Sequence, residues 1–307
     1  MRWGYNSDMK ILIGGGSGFI GQRLTQYLLN QGHQVVILSR HKPKIVSPLL
    51  EFFEADLLKP ELFEQHWFEG VEAVVNLSGK DIFTFWTKKT KKEIRDSRVM
   101  VNKNLIDFIS NLQQKPRVFI SASAVGYYGD RGETELEEGA PRGQGFLSEL
   151  CEAWEGEARQ AEKLGMRSVQ VRTAPVLGKD GGILGRIMKS FQFGFSFIFG
   201  SGKQWFSWIH MNDLVRIYHL AVTDENLSGP INACSPYPVR FRDFMNHLRE
   251  FKKAILIPFP AWILKLFLQE TAEVVLCSAK MIPAKLLKIN FQFSYLRLRD
   301  ALREIFA

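Results

Sequence analysis

Short apolar runs alternate with amphipathic stretches from Met9 to about Leu177, and this alternation predicts strand–helix–strand units. KILIGG (10–15) is an apolar run ending in glycines, and GQRLTQYLLNQG (21–32) is an amphipathic helix that Gly32 stops. HQVVILSR (33–40) reads as the next strand, and AVVNLSG (73–79) follows a polar helix-and-loop section. RVFISASA (117–124) and RSVQVRTAPVLG (167–178) continue the series. Strand alternating with helix argues for an α/β class with a doubly wound parallel sheet covered on both faces. The sheet domain is expected over residues 9–180, completed by about 206–232. Residues 181–205 and 233–307 remain for a smaller, mainly helical C-terminal lobe.

Two stretches depart from this rhythm. FQFGFSFIF (191–199) alternates with period two, as a strand does, yet its glycines suit an irregular pocket-lining segment equally well. With Trp86, Trp205 and Trp208 it forms either an aromatic substrate site or core. AILIPFPAWILKLFL (254–268) is the most apolar stretch, but its 15 residues fall short of the roughly 20 needed to span a bilayer, and Pro258, Pro260 and Lys265 interrupt it. It is expected to form the core of the C-terminal lobe, with peripheral membrane contact as the lesser reading.

Composition changes this picture little. The chain has 307 residues, of which 46% are hydrophobic and 23% charged, as in ordinary globular proteins. Its formal charge of +8 points to anionic partners without choosing among nucleic acid, membrane and phosphorylated small molecules. No nucleic-acid motif accompanies the charge, so a small-molecule partner is expected, and a homodimer stays open. Cys151, Cys234 and Cys277 form no CxxC pair and no disulfide framework, which favours a reducing cytoplasm. The polar residues MRWGYNSD (1–8) lack the apolar run of a signal peptide and read as a disordered leader. The six histidines have no ligand-like spacing, so no metal is expected.

The strongest chemical signal is GGGSGFIG (14–21), placed between a strand and a helix. Gly15, Gly18 and Gly21 give a tight turn, close approach of backbone to a pyrophosphate, and close helix packing. With Ser17, Phe19 and Ile20 they open a helix whose free N–H groups and positive dipole end suit phosphates. This is the signature of a Rossmann-type dinucleotide site; a purely structural turn is the bland alternative. At the end of the second strand LSRHKPK (38–44) offers Ser39, Arg40, Lys42 and Lys44 and no acid. An acid there would hold the ribose 2′-hydroxyl of NAD, whereas Arg40 suits a 2′-phosphate, so NADP(H) is favoured over NAD(H). An ordinary solvated basic turn is the alternative.

The order of GGGSGFIG, AD (55–56), NLSG (76–79), SASAVGYYG (121–129), RTAPVLG (172–178) and WIHMNDL (208–214) resembles the short-chain dehydrogenase/reductase superfamily, and more closely its NAD-dependent epimerase/dehydratase branch. SRV (97–99), GSGKQWFSWIH (200–210) and IPAKLLKINFQFSY (282–295) narrow the resemblance to the atypical epimerase-family group with a C-terminal domain of unknown function. The tail reads NFQF where GFxF is expected; Asn290 tolerates the positive φ such a turn needs.

The resemblance implies roles. Asp56 and Leu57 flank the adenine; Leu77, Ser78 and Gly79 line the cofactor cleft, with Ser121 and Cys151 deeper in it. Ser123 falls on the catalytic Ser/Thr, Leu147 on the usual Tyr, Cys151 on the usual Lys and Arg98 on the usual Asn, while Glu155 keeps its place. The standard proton donor is therefore absent, and positioned acid–base catalysis is commonly worth about 10²–10⁴ in rate. Ser123, Arg98, Tyr127 and Tyr128 are the candidate substitutes, and Trp86, Tyr128 and Trp208 the candidate pocket walls. The expected function is an oxidoreductase or epimerase-like enzyme on a small molecule; a catalytically silent dinucleotide sensor is the alternative.

Several residues have plainer readings. Cys151 is either a reactive thiol near Arg98 or a packed core residue. His210 either reaches substrate or ends a strand ahead of an N-cap at Asp213. Lys88, Lys89 and Lys92 in WTKKTKKEIRDSR (86–98) either steer an anionic substrate or form a solvated helix face. GFLSELCEAWE (145–155) carries Phe146, Leu147, Leu150, Cys151 and Trp154 at helical spacing, which predicts one inward face against the sheet.

Overall fold

The computed structural model describes residues 9–179 and 181–307; residues 1–8, where a leader is expected, lie outside the described residues. The first half alternates as its apolar pattern requires: β1 (Lys10–Gly14), α1 (Phe19–Asn30), β2 (Gln34–Ser39), β3 (Leu50–Glu54) and β4 (Val71–Asn76). After α2 (Lys88–Asp96) and α3 (Val99–Ser110) come β5 (Val118–Ala124), α4 (Phe146–Arg159) and β6 (Arg167–Thr173). The remainder carries α5 (Gly182–Phe191), β7 (Phe195–Phe199), α6 (Met211–Thr223) and β8 (Gly229–Ala233), then α7 (Phe241–Phe251), β9 (Ile255–Phe259) and α8 (Ala261–Leu268). A C-terminal helix, Leu298–Phe306, closes the chain.

Seven strands form one sheet in the order β8-β6-β5-β4-β1-β2-β3, and every neighbouring pair is parallel. Strand order reverses between β1 and β4, which opens a crevice at the carboxyl ends of these two strands, where doubly wound sheets bind ligands. The strands read as unbroken apolar runs because both faces are covered. Ile11, Ile13, Val35 and Ile37 pack with Leu24 and Leu28 of α1 and with α6. Leu12, Val36, Leu38 and Val74 pack with Val101, Leu105 and Ile109 of α3. The alternation of odd and even positions between the two cores is the two-residue period of a strand.

Three expectations need correcting. The section between β2 and β4 holds β3, whose LEFFE alternates weakly and hides its strand character at the sheet edge. The stretch 254–268 gives the lobe core little beyond Ala254 and Leu256, with Leu264 buried under α8. Its first part pairs as β9 with β7, and α8 leaves Trp262, Leu266 and Phe267 exposed. The N-cap of α6 is His210, whose Nδ1 accepts the Asn212 N–H at 3.2 Å. Asp213 instead catches the tail, its carboxylate accepting from the Ser294 and Tyr295 amides at 2.8 and 3.0 Å. Asn290 does take the left-handed conformation, with φ 56°.

The C-terminal lobe has its own core. Phe241, Phe244 and Leu248 of α7, Leu298, Leu302 and Ile305 of the last helix, and Leu184 and Phe191 of α5 surround Trp208. β7 supplies one strand of its small parallel ribbon, so the period-two reading of Phe195–Phe199 holds, while Phe191 ends α5.

Candidate functional site

The crevice begins at the glycine loop. Gly15 has φ +78°, a conformation that favours glycine, and its N–H donates to Leu38 O at 2.9 Å. A Cβ on Gly21 would lie 2.5 Å from Gly15 O, so the helix start sits against the turn only because both are glycines. Gly18 caps α1 without a side-chain hydrogen bond, and the first turn holds no acid, which leaves amide donors facing the crevice. That is what a pyrophosphate requires. The Phe19 ring fills the space over Gly178, Gly181 and Gly182 and ties the loop to the neighbouring lobe. Ile20 is half-buried beside it.

The loop is braced from both sides. Ser17 hydrogen-bonds Ser39, which is buried at the end of β2. Arg40, Lys42 and Lys44 follow it, all exposed, and Arg40 has no ion pair among the described residues. On the other side Leu77 N donates to Gly14 O at 2.9 Å, and Ser78 lies directly against Gly15. Asp56 Oδ1 accepts the Leu58 amide at 3.1 Å, and Leu57 is buried beside Gly14.

A buried polar ladder supports these strand ends and has no counterpart among the sequence expectations. Asn76 Nδ2 donates to Asn102 Oδ1 at 2.7 Å, and Asn102 Nδ2 donates to Ser121 Oγ at 2.9 Å. Asn76 Oδ1 also accepts the Ser78 amide at 3.0 Å, so α3 holds the β4 turn in place. Ser121 is fully enclosed, with its hydroxyl engaged in this ladder.

Beyond Gly79 lies Arg98, so close that a Cβ on that glycine would meet its guanidinium at 3.0 Å. Arg98 Nη1 donates to Ile94 O at 3.2 Å and to Ser97 Oγ at 3.3 Å, and the guanidinium stands 5.2 Å from the Trp154 ring centroid. Asp81, the acid with an electrostatic pull on it, is bonded to Arg186. Burial pulls the Arg98 pKa down to about 10.

Of the inward face predicted on α4, Leu150, Cys151 and Trp154 are buried, Phe146 and Leu147 are half-buried, and Glu155 is buried with them. Leu147 packs on Gly126, and Cys151 Sγ lies 3.9 Å from Ala124 O. Burial, with the nearby Glu155 charge, pushes the Cys151 thiol up to about 12, outweighing the Arg98 charge that favours the thiolate. The thiol is thus protonated and packed.

Ser123 is also committed. Its hydroxyl donates to Glu155 Oε1 at 2.7 Å, and Arg172 grips the same carboxylate through Nε at 2.8 Å and Nη2 at 2.9 Å. Burial opposes the Arg172 charge, but Glu155 more than offsets it and holds the pKa above its ordinary value. Arg172 lies 3.4 Å from the Tyr127 ring centroid and donates to Tyr128 Oη at 3.0 Å. Tyr128 Oη donates to Asn232 Oδ1 at 2.6 Å, and burial pushes its pKa up to about 12. Tyr128 is fully buried, which corrects its placement in a substrate pocket. Trp208 is corrected likewise: it is core, with Nε1 donating to Tyr237 O at 3.1 Å. A charged residue inside the strand RSVQVRT was the available signal for this network, since a buried arginine must find a partner.

Trp86 stays half-buried near the cleft, edge-on to Phe146 at 5.0 Å. Its backbone N–H donates to Thr271 at 3.2 Å, while Asp81 reaches Arg186 of α5, so residues 81–86 bridge the two lobes above Arg98. Trp205 is pinned elsewhere, donating to Glu133 at 3.0 Å under Arg240. His210 Nε2 pairs with Glu304 at 2.9 Å, and its ring packs 3.8 Å from Tyr295, a structural placement. Lys88, Lys89 and Lys92 lie on a solvated helix face, where Lys92 pairs with Asp96, while Lys91 reaches across to Glu270.

Residues 11–234 match the NAD dependent epimerase/dehydratase family, and residues 259–305 match a domain of unknown function, DUF1731. The chain is 38% identical over 304 residues to the epimerase family protein SDR39U1 homolog, chloroplastic, of Arabidopsis thaliana, covering 97% of this chain and 87% of that protein. It superposes on the crystal structure of human epimerase family protein SDR39U1 (isoform2) with NADPH, with TM-score 0.85, 30% identity and coverage of 97% and 99%. A UDP-glucuronic acid 4-epimerase from Bacillus cereus, solved with UDP-glucuronic acid and NAD, shares the fold at TM-score 0.79 and 21% identity, over 97% and 98% of the chains. A glycine loop built for a pyrophosphate, at the switch point of a seven-stranded parallel sheet and followed by the matching C-terminal segment, agrees with these likenesses: the chain belongs to the NAD dependent epimerase/dehydratase family.

Proposed function

We propose that this chain is an NADP(H)-dependent oxidoreductase or epimerase-like enzyme on a small molecule, in which Arg98 takes over at the substrate oxygen from the missing tyrosine. The carrying observation is the Arg98 guanidinium against Gly79, without a carboxylate partner among the described residues. When bound, NADPH supplies a hydride. Arg98 offers fixed N–H donors and positive charge to an oxygen that gains negative charge, the kind of preorganised stabilisation worth about 10²–10³ in rate. Leu147 has no proton to give, so the proton that completes the reaction comes from solvent. Ser123 and Tyr128 hold their hydrogens in the Glu155–Arg172 network, and Tyr127 lies under Arg172.

The NADP(H) preference rests on exposed Arg40 beside the Ser17–Ser39 contact, with no acid at the end of β2. The human neighbour with NADPH points the same way. Residues 9–180, completed by about 206–232, serve as the cofactor domain, and the rest as the substrate lobe. A cytoplasmic setting fits three free cysteines.

NADPH oxidation against small carbonyl compounds, with and without carboxylate or phosphate groups, tests the reading. Arg98→Ala should lower turnover by about a hundredfold or more while NADPH still binds; undiminished turnover refutes the role. The commitment of Ser123 to Glu155, together with Leu147, favours a second reading as a silent NADP(H) sensor. Tight NADPH binding with no turnover across the panel would establish that one.

A further inference from the structure

β7 and β9 form a two-stranded parallel ribbon in which Phe195 pairs with Ile255, Phe197 with Ile257 and Phe199 with Phe259. Residues paired in register point to the same side, so Phe195, Phe197, Ile255 and Ile257 share one face. The intervening Ser196 and Ile198 are buried on the other. The outward face therefore has no polar position along it, and Ile255 is 71% exposed. At Pro260 the chain turns directly into α8, which exposes Trp262, Leu266 and Phe267 at 68%, 67% and 66%. Contiguous exposed apolar side chains of this size on one segment mark an interaction surface.

The charges around it say which kind. Lys252 and Lys253 immediately precede β9, and Lys265 stands among the exposed residues of α8; all three are exposed. Ile255 also borders an open groove of about 740 Å³ lined by Arg249, Lys253, Asn246 and Glu250. Glu250 is engaged by Arg299 at 2.9 Å and His247 at 3.0 Å, which leaves the groove cationic. A second copy of this chain is a poor occupant, because it would bring the cations of this patch into one interface twice over while Glu250, the acid of the groove, is already engaged. Aromatic and aliphatic side chains bordered by lysines match the boundary of an anionic bilayer, where apolar groups enter the acyl region and cations meet phosphates. We propose that the β7–β9 ribbon and α8 dock this protein peripherally on an anionic lipid surface, with Trp262, Leu266, Phe267 and Ile255 inserted and Arg249, Lys252 and Lys253 against headgroup phosphates.

Cosedimentation of the full chain with vesicles tests this. Vesicles of phosphatidylcholine alone are compared with an equal mixture of phosphatidylcholine and phosphatidylglycerol. The chain should pellet with the anionic vesicles only, and raising the salt to about 0.5 M should weaken binding. Trp262→Ser/Phe267→Ser and Lys252→Glu/Lys253→Glu should each weaken binding by about tenfold or more, with melting temperature and NADPH affinity unchanged. No binding to anionic vesicles, or binding by both variants as strong as that of the parent chain, overturns the proposal. A concentration-dependent dimer that the same variants dissociate, without vesicle binding, assigns the face to a second copy and overturns it as well.

Discussion

Ser123 donates its hydroxyl hydrogen to Glu155 across the β5–α4 interface, at 2.7 Å, and both side chains are buried. The residue that the resemblance sets on the superfamily's catalytic serine thus serves a carboxylate whose main partner is Arg172. Glu155→Gln leaves the Arg172 cation poorly compensated in the interior and should cost about 3 kcal/mol or more. Ser123→Ala removes one hydrogen bond of several and should cost about 1 kcal/mol. Urea denaturation of the two variants measures both; equal costs would mean that Arg172 draws its compensation elsewhere.

Arg40, exposed directly after Ser39, is the residue proposed to set cofactor choice. NADPH should bind more tightly than NADH, and Arg40→Ala should remove most of that difference, about 1.5–3 kcal/mol for a charge-assisted contact to phosphate. Titration by intrinsic fluorescence reads it, and equal affinities in the parent chain would refute the preference.

Cys151 is buried against Ala124, and a packing role is expected of it. With its thiol pushed up to about 12, native protein should resist alkylation at this position at neutral pH. Cys151→Ala should keep NADPH affinity and any turnover within about tenfold, at a stability cost of about 1 kcal/mol. A hundredfold loss of activity with cofactor binding intact would make it a catalytic thiol.

Gln269 closes α8 at φ 48°, ψ −129°, a backbone region suited to glycine. Gln269→Gly should therefore raise stability by about 1 kcal/mol, relief of backbone strain outweighing the added flexibility of the unfolded chain. Thermal denaturation checks the sign.

His219 meets His33 at 3.1 Å, and burial, with the neighbouring ring, pulls its pKa down to about 4. Between that value and the ordinary value of 6.5 the unfolded chain holds a proton that the folded chain lacks. Stability should fall as pH drops from about 7 to about 4 and this contribution should then level off, by about 2 kcal/mol after allowance for partial solvent access. His219→Gln should flatten that part of the pH–stability curve; an unchanged curve would place the proton elsewhere.

Much of this molecule was legible before its structure. The alternation of apolar runs predicted the parallel strands because a strand covered on both faces has no polar position to spare. GGGSGFIG announced the phosphate loop because only glycines permit its turn and its close helix contact. The inward face of GFLSELCEAWE followed from spacing alone, and Asn290 took the positive φ foreseen for it.

Other features depend on partners far away in the chain. Tyr128 and Trp208 read as pocket walls, yet Asn232 and Tyr237 draw their polar atoms into the core. Asp213 looked like a cap, but the Ser294 and Tyr295 amides claim its carboxylate. The stretch 254–268 looked like core because its composition is apolar, whereas β9 finds a single neighbouring strand and α8 is left facing outward. Composition and period report what each segment needs locally: a buried face, a turn, a cap. Whether Arg98 ends against Gly79 without a carboxylate while Arg172 takes Glu155 is decided by which strand ends and helices the fold brings together. Those contacts span tens of residues, and only the tertiary structure assigns them.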